Sequence, residues 1–405
     1  MPRTLAHTPT ASLAGSSGLA FSRVNETITG ACACFVVLSQ LVLLCRHATH
    51  LSRPNEQLHL MRICCYLPIL SIGSFLQVAF PATYPYLGAW LDCAQAIALC
   101  HFFLIMCQFV SPSDSQREIY FAALKMPPSQ KSHPDLINGL HFYRRTYVLV
   151  FQYPVVQLLV AILTAITESQ GVYCLVSSST HFAHLWLNIV HNVSLTVAVV
   201  ACLRLLRGLQ GKLKHHRPLL KLAAFKLLIL VTGVIQIVYW ILRSIKPTPL
   251  TPTATLSFAD VFTGIPVLIT ALLAVPFSVL FHFAYNVEPY YLQNVDANAP
   301  LTVREATTTT TATTTTATTT TATTITTTIH TTTTAESSYH GGPLGIRAWM
   351  GVLDPSELLS GLKLGVTMLH KANLQRDLDE AVRSSQQEGI HIGESHMSWP
   401  AGSRI

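Results

Sequence analysis

The strongest constraint on the fold of this chain is a series of seven apolar runs, each about as long as a membrane-spanning helix. A helix needs about 20 apolar residues to cross a bilayer, because lipid offers the backbone no hydrogen-bond partners. The chain is therefore predicted to be an all-α, polytopic membrane protein with a bundle of seven transmembrane helices. The runs occupy residues 28–45, 63–81, 88–110, 147–167, 182–203, 222–242 and 258–285.

The composition supports a lipid-facing surface. Charged residues make up 11% of the 405 residues and hydrophobic residues 50%, whereas a soluble domain carries about 25% charged residues. The net charge of +7 is typical of some nucleic-acid-binding proteins, but here the basic residues cluster in short segments between the apolar runs. We therefore expect membrane lipids as partners, no nucleic acid, and a multi-pass location in the plasma membrane or an endomembrane.

The distribution of Lys and Arg predicts the orientation of the bundle. The segments after the first, third and fifth runs carry fourteen Lys and Arg residues, and the segments after the second, fourth and sixth carry two. Positive residues are enriched on the cytosolic side of a membrane. The N-terminus is therefore predicted to lie outside and the C-terminal tail in the cytosol.

The chain divides into an outer N-terminal segment, 1–27, a transmembrane domain, 28–292, and three tail segments. Residues 293–344 form a Thr-rich linker that is predicted to be disordered, because it cannot bury a core. Phosphorylation of this tract is an open alternative. Residues 345–385 are predicted to form a short amphipathic cytosolic helical segment, and residues 386–405 a disordered tail.

A helix-start signal lies within the tail. Asp354 is interpreted as the N-cap, Pro355 as the first helical residue and Glu357 as the residue that completes a capping box. The apolar residues that follow form one stripe, which predicts packing on the bundle or on the membrane surface, the former being favoured. The stripe consists of Leu358, Leu359, Leu362, Val366 and Leu369.

Polar residues inside the apolar runs are the main candidates for function, because burying them in lipid is costly. In the fifth run, Asn188, His191 and Asn192 share one helix face. Such a face can hydrogen-bond to neighbouring helices or line a solute pathway, and both interpretations remain open. The candidates for the pathway are Asn188, His191, Asn192, Gln236, Gln152 and His101.

Charged side chains near the ends of runs have simpler interpretations. Lys221 and Lys226 lie near the predicted cytosolic end of the sixth run, where they reach the interface by snorkelling or bind an anion or a lipid headgroup. Asp92 is expected near the outer interface, where ionisation costs little. No run has a central Asp or Glu, which argues against a carboxylate-based proton relay.

Two kinds of covalent modification are predicted. Cys45, Cys64 and Cys65 lie at the predicted cytosolic interface and are candidates for lipidation. Asn25 begins an Asn-Glu-Thr sequon on the predicted outer side, so it is a glycosylation candidate, although it lies almost against the first run.

Motifs of enzymes and metal sites are absent from the sequence. No Gly-x-Ser-x-Gly, His-Glu-x-x-His or Walker loop occurs, and the ten cysteines form no Cys-x-x-Cys pair. His47, His50 and His59 are interpreted as solvated surface residues of a cytosolic loop. The chain is therefore predicted to be no enzyme and to have no cofactor and no metal site.

Several segments resemble the organic solute transporter alpha-subunit (Ost-alpha) family, over about residues 57–292 and again near 346–362. The most specific is RPLLKLAAFKLLILVTGVIQ in the sixth run, with a proline, two lysines five residues apart and a glutamine. Further segments are QLHLMRICCYLPILSIGSFLQV, LDCAQAIALCHFF, VFQYPVVQLL and FHFAYNVEPYYL, and the tail segment IRAWMGVLDPSELL is similar to that of fungal members. The chain departs from the family at Gln95 and Gln157, where the family carries charged side chains.

The resemblance implies a membrane transporter of organic solutes, steroid-like or amphipathic, that works by facilitated diffusion. It also implies assembly with a small single-span partner, as in animal members, while a homo-oligomer is the other assembly considered. A second function stays open. The chain can also be a non-transporting, receptor-like or trafficking membrane protein whose cytosolic tail recruits partners.

Overall fold

The computed structural model describes residues 16–111, 114–126, 137–175, 181–209, 227, 231–235, 237–239, 241–242, 245, 256–257, 259–291, 339–371 and 373–374. Long helices dominate these residues, with short 3₁₀ turns at Pro81–Thr83, Glu288–Tyr290 and Pro343–Gly345. One small antiparallel ladder joins β1 (Lys125–Met126) to β2 (Ile137–Asn138), with Lys125 opposite Asn138. The helices are α1 (Ser16–Thr49), α2 (Pro54–Ala79), α3 (Tyr84–Val110), α4 (Asp114–Ala123), α5 (Gly139–Ser169), α6 (Ala183–Leu209), α7 (Ile265–Ala284), α8 (Ile346–Leu353) and α9 (356–371).

Six helices of the described chain are long and apolar enough to cross a membrane. They are α1, α2, α3, α5, α6 and α7, and they correspond to the predicted runs one to five and seven. The predicted all-α, multi-pass membrane fold is therefore confirmed. The sixth run, 222–242, lies mostly outside the described residues, and its described residues 231–235 are helical. A seventh spanning helix and the outward orientation of the N-terminus stay predictions.

The first helix is longer than its apolar run, because polar residues extend it. Thr27 Oγ1 donates to the carbonyl of Arg23 at 2.8 Å, and Thr29 Oγ1 donates to the carbonyl of Asn25 at 2.8 Å. These bonds satisfy the hydroxyls within the helix itself. Residues 16–27 are thus helical and continue into α1, while the outer position of segment 1–27 stays a prediction. The linker residues 293–338 and the tail 386–405 lie outside the described chain.

The bundle is built from contacts between successive helices, α1 with α2, α2 with α3, α3 with α5 and α5 with α6, while α7 lies against α1 and α2. Aromatic rings fill its centre. Tyr147 stacks on Phe151 with ring centroids 4.4 Å apart, and Phe103 meets Tyr147 edge to face at 5.4 Å. Aromatic pairs of this kind add stability beyond the area that they bury. This packing leaves one polar cavity toward each end of α2 and α3.

The last spanning helix begins irregularly. Residues Asp260–Gly264 form a π turn, in which the Ile265 N–H bonds to the Asp260 carbonyl. The turn lies directly before Pro266, which has no N–H to continue a regular ladder. The Asp260 carboxylate accepts hydrogen bonds from the Ser257 backbone N–H at 3.0 Å and from its hydroxyl at 2.7 Å. These two hydrogen bonds hold the start of the π turn in place.

The tail helices dock on the bundle, as the sequence favoured. Asp354 caps α9 by accepting from the Ser356 N–H at 2.9 Å and from its hydroxyl at 2.8 Å. The backbone bond from Ser356 is the main reason why the pKa of Asp354 is held below its ordinary value. Glu357 does not complete the predicted capping box. Its carboxylate contacts the Arg62 guanidinium of α2 instead, because docking brings that buried cation beside it.

The buried face of α9 differs from the predicted leucine stripe. Gly361, Gly365 and Met368 are buried against the bundle, whereas Leu359 and Val366 are 60% and 70% exposed. A Cβ on Gly361 would lie 2.5 Å from the Phe151 ring, so only glycine permits this approach. The Tyr147 hydroxyl also donates to the Gly361 carbonyl at 3.1 Å. Leu358 and Leu362 of the stripe are partly buried against the core, so this face combines part of the predicted stripe with close backbone contact at the glycines.

An ion pair network joins α4, α5 and α9 outside the spanning segments. Glu118 accepts from the Arg144 guanidinium at 2.9 Å, and its other oxygen lies 3.5 Å from the Lys371 ammonium. Burial alone acts to raise the pKa of Glu118, but Arg144 and Lys371 outweigh it and hold this pKa below its ordinary value of 4.5. The carboxylate form of Glu118 is therefore the form that stabilises the fold.

We expect a Glu118→Gln variant to melt at a lower temperature than the wild-type chain at pH 7. A group whose pKa is lower in the folded state contributes stability above its unfolded-state pKa and loses it as the pH falls through the folded-state value. The difference in melting temperature is therefore expected to shrink below about pH 4.5. Thermal melts of the detergent-solubilised proteins between pH 3 and pH 8 measure it, and a difference that is independent of pH would contradict the prediction.

Candidate functional site

A polar cavity of about 210 Å³, here called the bundle cavity, opens among the spanning helices. Its walls come from α2, α3, α5, α6, α7 and the helical residues 232, 233, 235 and 239. Both apolar and polar side chains line it. The polar lining includes Gln77, Asp92, Gln95, Thr164, Asn188, His191, Asn192 and Thr270.

The face of α6 that the sequence singled out lines this cavity. Asn188, His191 and Asn192 all contribute to the wall, because the spacings of three and four residues put them on one side of the helix. The Asn192 amide donates to the Asn188 side-chain oxygen at 2.5 Å and to its backbone carbonyl at 2.8 Å. The two amides thus hold one another in place along the wall.

Asp92 of α3 faces His191 across the cavity. The distance from its Oδ2 to the His191 Nδ1 is 3.5 Å, and the two side chains are 37% and 16% exposed. The His191 Nδ1 is buried, and among the described residues it has no hydrogen-bond partner. Asp92 lies eight residues into α3, about 12 Å along the helix axis. The helix begins earlier than the apolar run, at Tyr84, and the expected place of Asp92 near the outer interface stays a prediction.

Beneath this pair, a short hydrogen-bond chain closes the cavity. The Tyr66 hydroxyl donates to the Gln95 side-chain oxygen at 3.1 Å, and the Gln95 amide donates to the Tyr153 hydroxyl at 3.4 Å. All three residues are buried. The spacing of Asp92 and Gln95, three residues apart inside an apolar run, was the sequence signal for this wall. A single sequence does not show that it faces α6.

The other predicted pathway residues lie elsewhere. Gln152 binds Ser194 of α6, accepting its hydroxyl at 3.0 Å and donating to its carbonyl at 3.2 Å, so it joins two helices. His101 is 3% exposed and contacts His59 toward the opposite end of α3. Gln236, Lys221 and Lys226 lie outside the described residues. The neighbours Thr232, Gly233, Ile235 and Tyr239 line the bundle cavity.

The predicted modification sites meet different surroundings. Asn25 is 1% exposed and its amide donates to the Gly264 carbonyl at 3.3 Å, a contact that is incompatible with a glycan on this nitrogen. Cys64 is fully buried and closed to an acyl group, whereas Cys45 is exposed and Cys65 half-buried. Glycosylation at Asn25 and lipidation at Cys64 therefore do not fit this packing, because both side chains lie between helices.

A second cavity, here called the tail cavity, has a volume of about 410 Å³ between α9 and the ends of α2, α3, α4 and α5. His59, Arg117 and Glu357 contribute charge or titratable groups to its wall. His59 is 8% exposed, and His47 is fully buried with its Nε2 3.0 Å from the Tyr285 carbonyl oxygen. Both histidines were interpreted as solvated, which is wrong because helices α1 and α2 extend through them.

The fold and the bundle cavity define a multi-pass helical membrane protein with polar groups around an intramembrane cavity. This chain belongs to the organic solute transporter Ostalpha family, which it matches over residues 26–290. The expected family is thereby confirmed, and it is a family of transporters.

Two relatives extend the comparison. The transmembrane protein 184 homolog of Dictyostelium discoideum is 25% identical over 220 residues, which cover 50% of this chain and 42% of the relative. Protein LAZ1 homolog 1 of Arabidopsis thaliana is 25% identical over 224 residues, 49% of this chain and 46% of the relative. The chain thus spans about half the length of the curated relatives it matches. No solved structure matches it significantly.

Proposed function

We propose that this protein carries amphipathic organic solutes, steroid-like molecules among them, across a membrane by facilitated diffusion through the bundle cavity. The observation that supports this most directly is the Asp92–His191 pair, which faces an open space inside an otherwise apolar bundle. Polar groups at that depth are costly unless they are paired or serve a solute. Membership in a transporter family supports the same function.

The lining favours a solute with one polar end. Asp92, His191 and Asn188 supply donors and acceptors on one side, while Val160 and Val267 belong to the apolar part of the wall. The volume of about 210 Å³ is smaller than the roughly 300–1,000 Å³ of pockets that enclose drug-sized ligands. The cavity therefore takes the polar end of the solute, and the apolar body lies at its opening.

Asn192 of α6 lines the cavity and is an exposed residue, which supports an opening of the cavity at this helix. A lateral opening suits a solute that arrives from the lipid phase. Gln95 and Gln157 place neutral amides where the family carries charge, which supports downhill movement without a coupled ion.

The test is uptake of labelled sterol conjugates into proteoliposomes that contain the purified chain. We expect uptake above that of empty liposomes, and equilibration without accumulation. Asp92→Asn and His191→Ala are each expected to reduce initial uptake about tenfold, because each removes a charged or ring group that we expect the polar end of the solute to bind.

Matched controls exist for both changes. Asp354→Asn keeps a good helix cap in the exposed tail, and His370→Ala changes an exposed histidine of α9. Both are expected to transport as the wild type does. Uptake equal to that of empty liposomes would contradict the carrier function, and accumulation driven by an imposed ion gradient would contradict facilitated diffusion.

One observation favours the second function, recruitment of partners by the tail. The outer surface of the tail helices carries exposed apolar side chains, with Met350 at 67% and Leu353 at 82% exposure. Such a surface is typical of an interaction site. Absence of uptake for every sterol conjugate, together with a folded chain, would favour this function over the carrier.

A further inference from the structure

Two histidines and one glutamate meet where α9 covers the bundle. The Nδ1 atoms of His59 and His101 lie 3.1 Å apart, and the Glu357 Oε2 lies 3.6 Å from the His59 Nδ1. The three donor atoms all lie within 4.8 Å of one another. They come from three separate elements, α2, α3 and α9, so the tertiary fold alone brings them together.

Two of the three separations match those in a tetrahedral metal site, and the third, between His101 and Glu357, is at most 4.8 Å. Zinc binds imidazole nitrogens at about 2.0–2.1 Å and carboxylate oxygens at about 2.0–2.2 Å, which places neighbouring ligand atoms about 3.3 Å apart. The two measured separations, 3.1 Å and 3.6 Å, lie on either side of that value. Imidazole ligands select transition metals, whereas magnesium and calcium prefer oxygen ligands alone.

The surroundings hold the ligands in place. His59 and His101 are 8% and 3% exposed, so their rings are fixed by packing. Arg62 contacts the same Glu357 oxygen, Oε2, that lies near His59, so the other carboxylate oxygen stays available to turn toward an ion. Arg62 also donates to the carbonyls of Gly351 at 2.6 Å and Val352 at 3.2 Å. The guanidinium therefore keeps its own partners and orients the carboxylate, as outer-shell hydrogen bonds do for metal-ligating carboxylates.

The site has an entry path. His59 and Glu357 both line the tail cavity of about 410 Å³. An ion can therefore reach the three donor atoms from this cavity, and a water molecule can occupy the fourth coordination position. Three protein ligands and one open position are the arrangement of many accessible zinc sites.

We propose that His59, His101 and Glu357 bind one divalent transition-metal ion, zinc being the best match to the ligand set. The ion links the tail helix to the spanning helices, because Glu357 belongs to α9 and the histidines to α2 and α3. Docking of the tail is therefore coupled to metal binding. The site lies toward the opposite end of α3 from the Asp92–His191 pair, and it is independent of what the bundle cavity carries.

The test uses the full chain purified in detergent, stripped with a chelator and equilibrated with zinc chloride. We expect about one zinc ion per chain by elemental analysis and a higher melting temperature with zinc than without it. His59→Ala and His101→Ala are each expected to lose the bound zinc. Glu357→Gln is expected to weaken zinc binding at least about tenfold. His370→Ala, which changes an exposed histidine of α9, is expected to keep it.

A second readout does not depend on any variant. Cobalt(II) added to the stripped wild-type chain is expected to give the intense visible absorption of a tetrahedral site, and zinc is expected to abolish it. A wild-type chain that binds no zinc, or a His59→Ala, His101→Ala double variant that binds as much as the wild type, would overturn the proposal. In that event the two imidazoles form a direct hydrogen bond only.

Discussion

Replacing Gly233 with Trp is expected to reduce sterol-conjugate uptake at least about tenfold, to the level of empty liposomes. Gly233 lines the bundle cavity, and a Cβ built on it meets no atom within 4 Å. The indole can therefore enter the cavity without displacing the helix. The Asp92–His191 pair is then covered, and the polar end of the solute has no place to bind. Initial uptake rates into proteoliposomes measure the effect.

The adjacent residue supplies the control. Val234 is 49% exposed on the outside of the same helical segment, so Val234→Trp adds the same side chain toward lipid. It is expected to keep wild-type uptake. Equal uptake by the two variants would show that the solute does not pass through this cavity, provided both proteins elute as monodisperse particles.

Replacing Arg62 with Ala is expected to release the tail helices from the bundle. The guanidinium is buried and binds the carbonyls of Gly351 and Val352 as well as the Glu357 carboxylate. Removing one partner of a buried pair costs about 3–5 kcal/mol, and we expect about 3 kcal/mol because Glu357 is partly exposed. Amide hydrogen exchange in α8 and α9 is therefore expected to become about 100-fold faster.

Arg53→Ala is the matched control for this prediction. Arg53 precedes α2 and lies 3.8 Å from Glu56, with its side chain 42% exposed. Exposed pairs of this kind contribute about 0–1 kcal/mol, so exchange in the tail helices is expected to stay as in the wild type. Slow exchange in the Arg62→Ala variant would mean that the glycine face of α9 holds the tail without the arginine.

The candidate site was only partly predictable. The helical spacing of Asn188 and His191 follows from the sequence, and the structure places both in the cavity wall. The sequence placed Asp92 near the outer interface and did not indicate that it meets His191 across the cavity. Gln152 has the same polar character as the pathway residues, yet it binds Ser194. Local sequence does not show which neighbour a polar side chain meets.

The contacts of the tail helix α9 were also only partly predictable from the sequence. Of the predicted stripe, Leu359 and Val366 are exposed while Leu358 and Leu362 pack against the core. Gly361 and Gly365 complete the contact, because they let α9 approach the Phe151 ring closely. Glu357 has the sequence spacing of a capping-box residue, but its carboxylate binds the buried Arg62 of α2 instead.

The sequence by itself determined that the chain is an all-α multi-pass membrane protein of the Ost-alpha family. Long apolar runs have no other stable structure in lipid, because every backbone group must bond within its own helix. The tertiary structure alone decided that Asp92 meets His191, and that His59, His101 and Glu357 meet beneath the tail. Those groups are far apart along the chain, and only the packing of helices brings them within bonding distance.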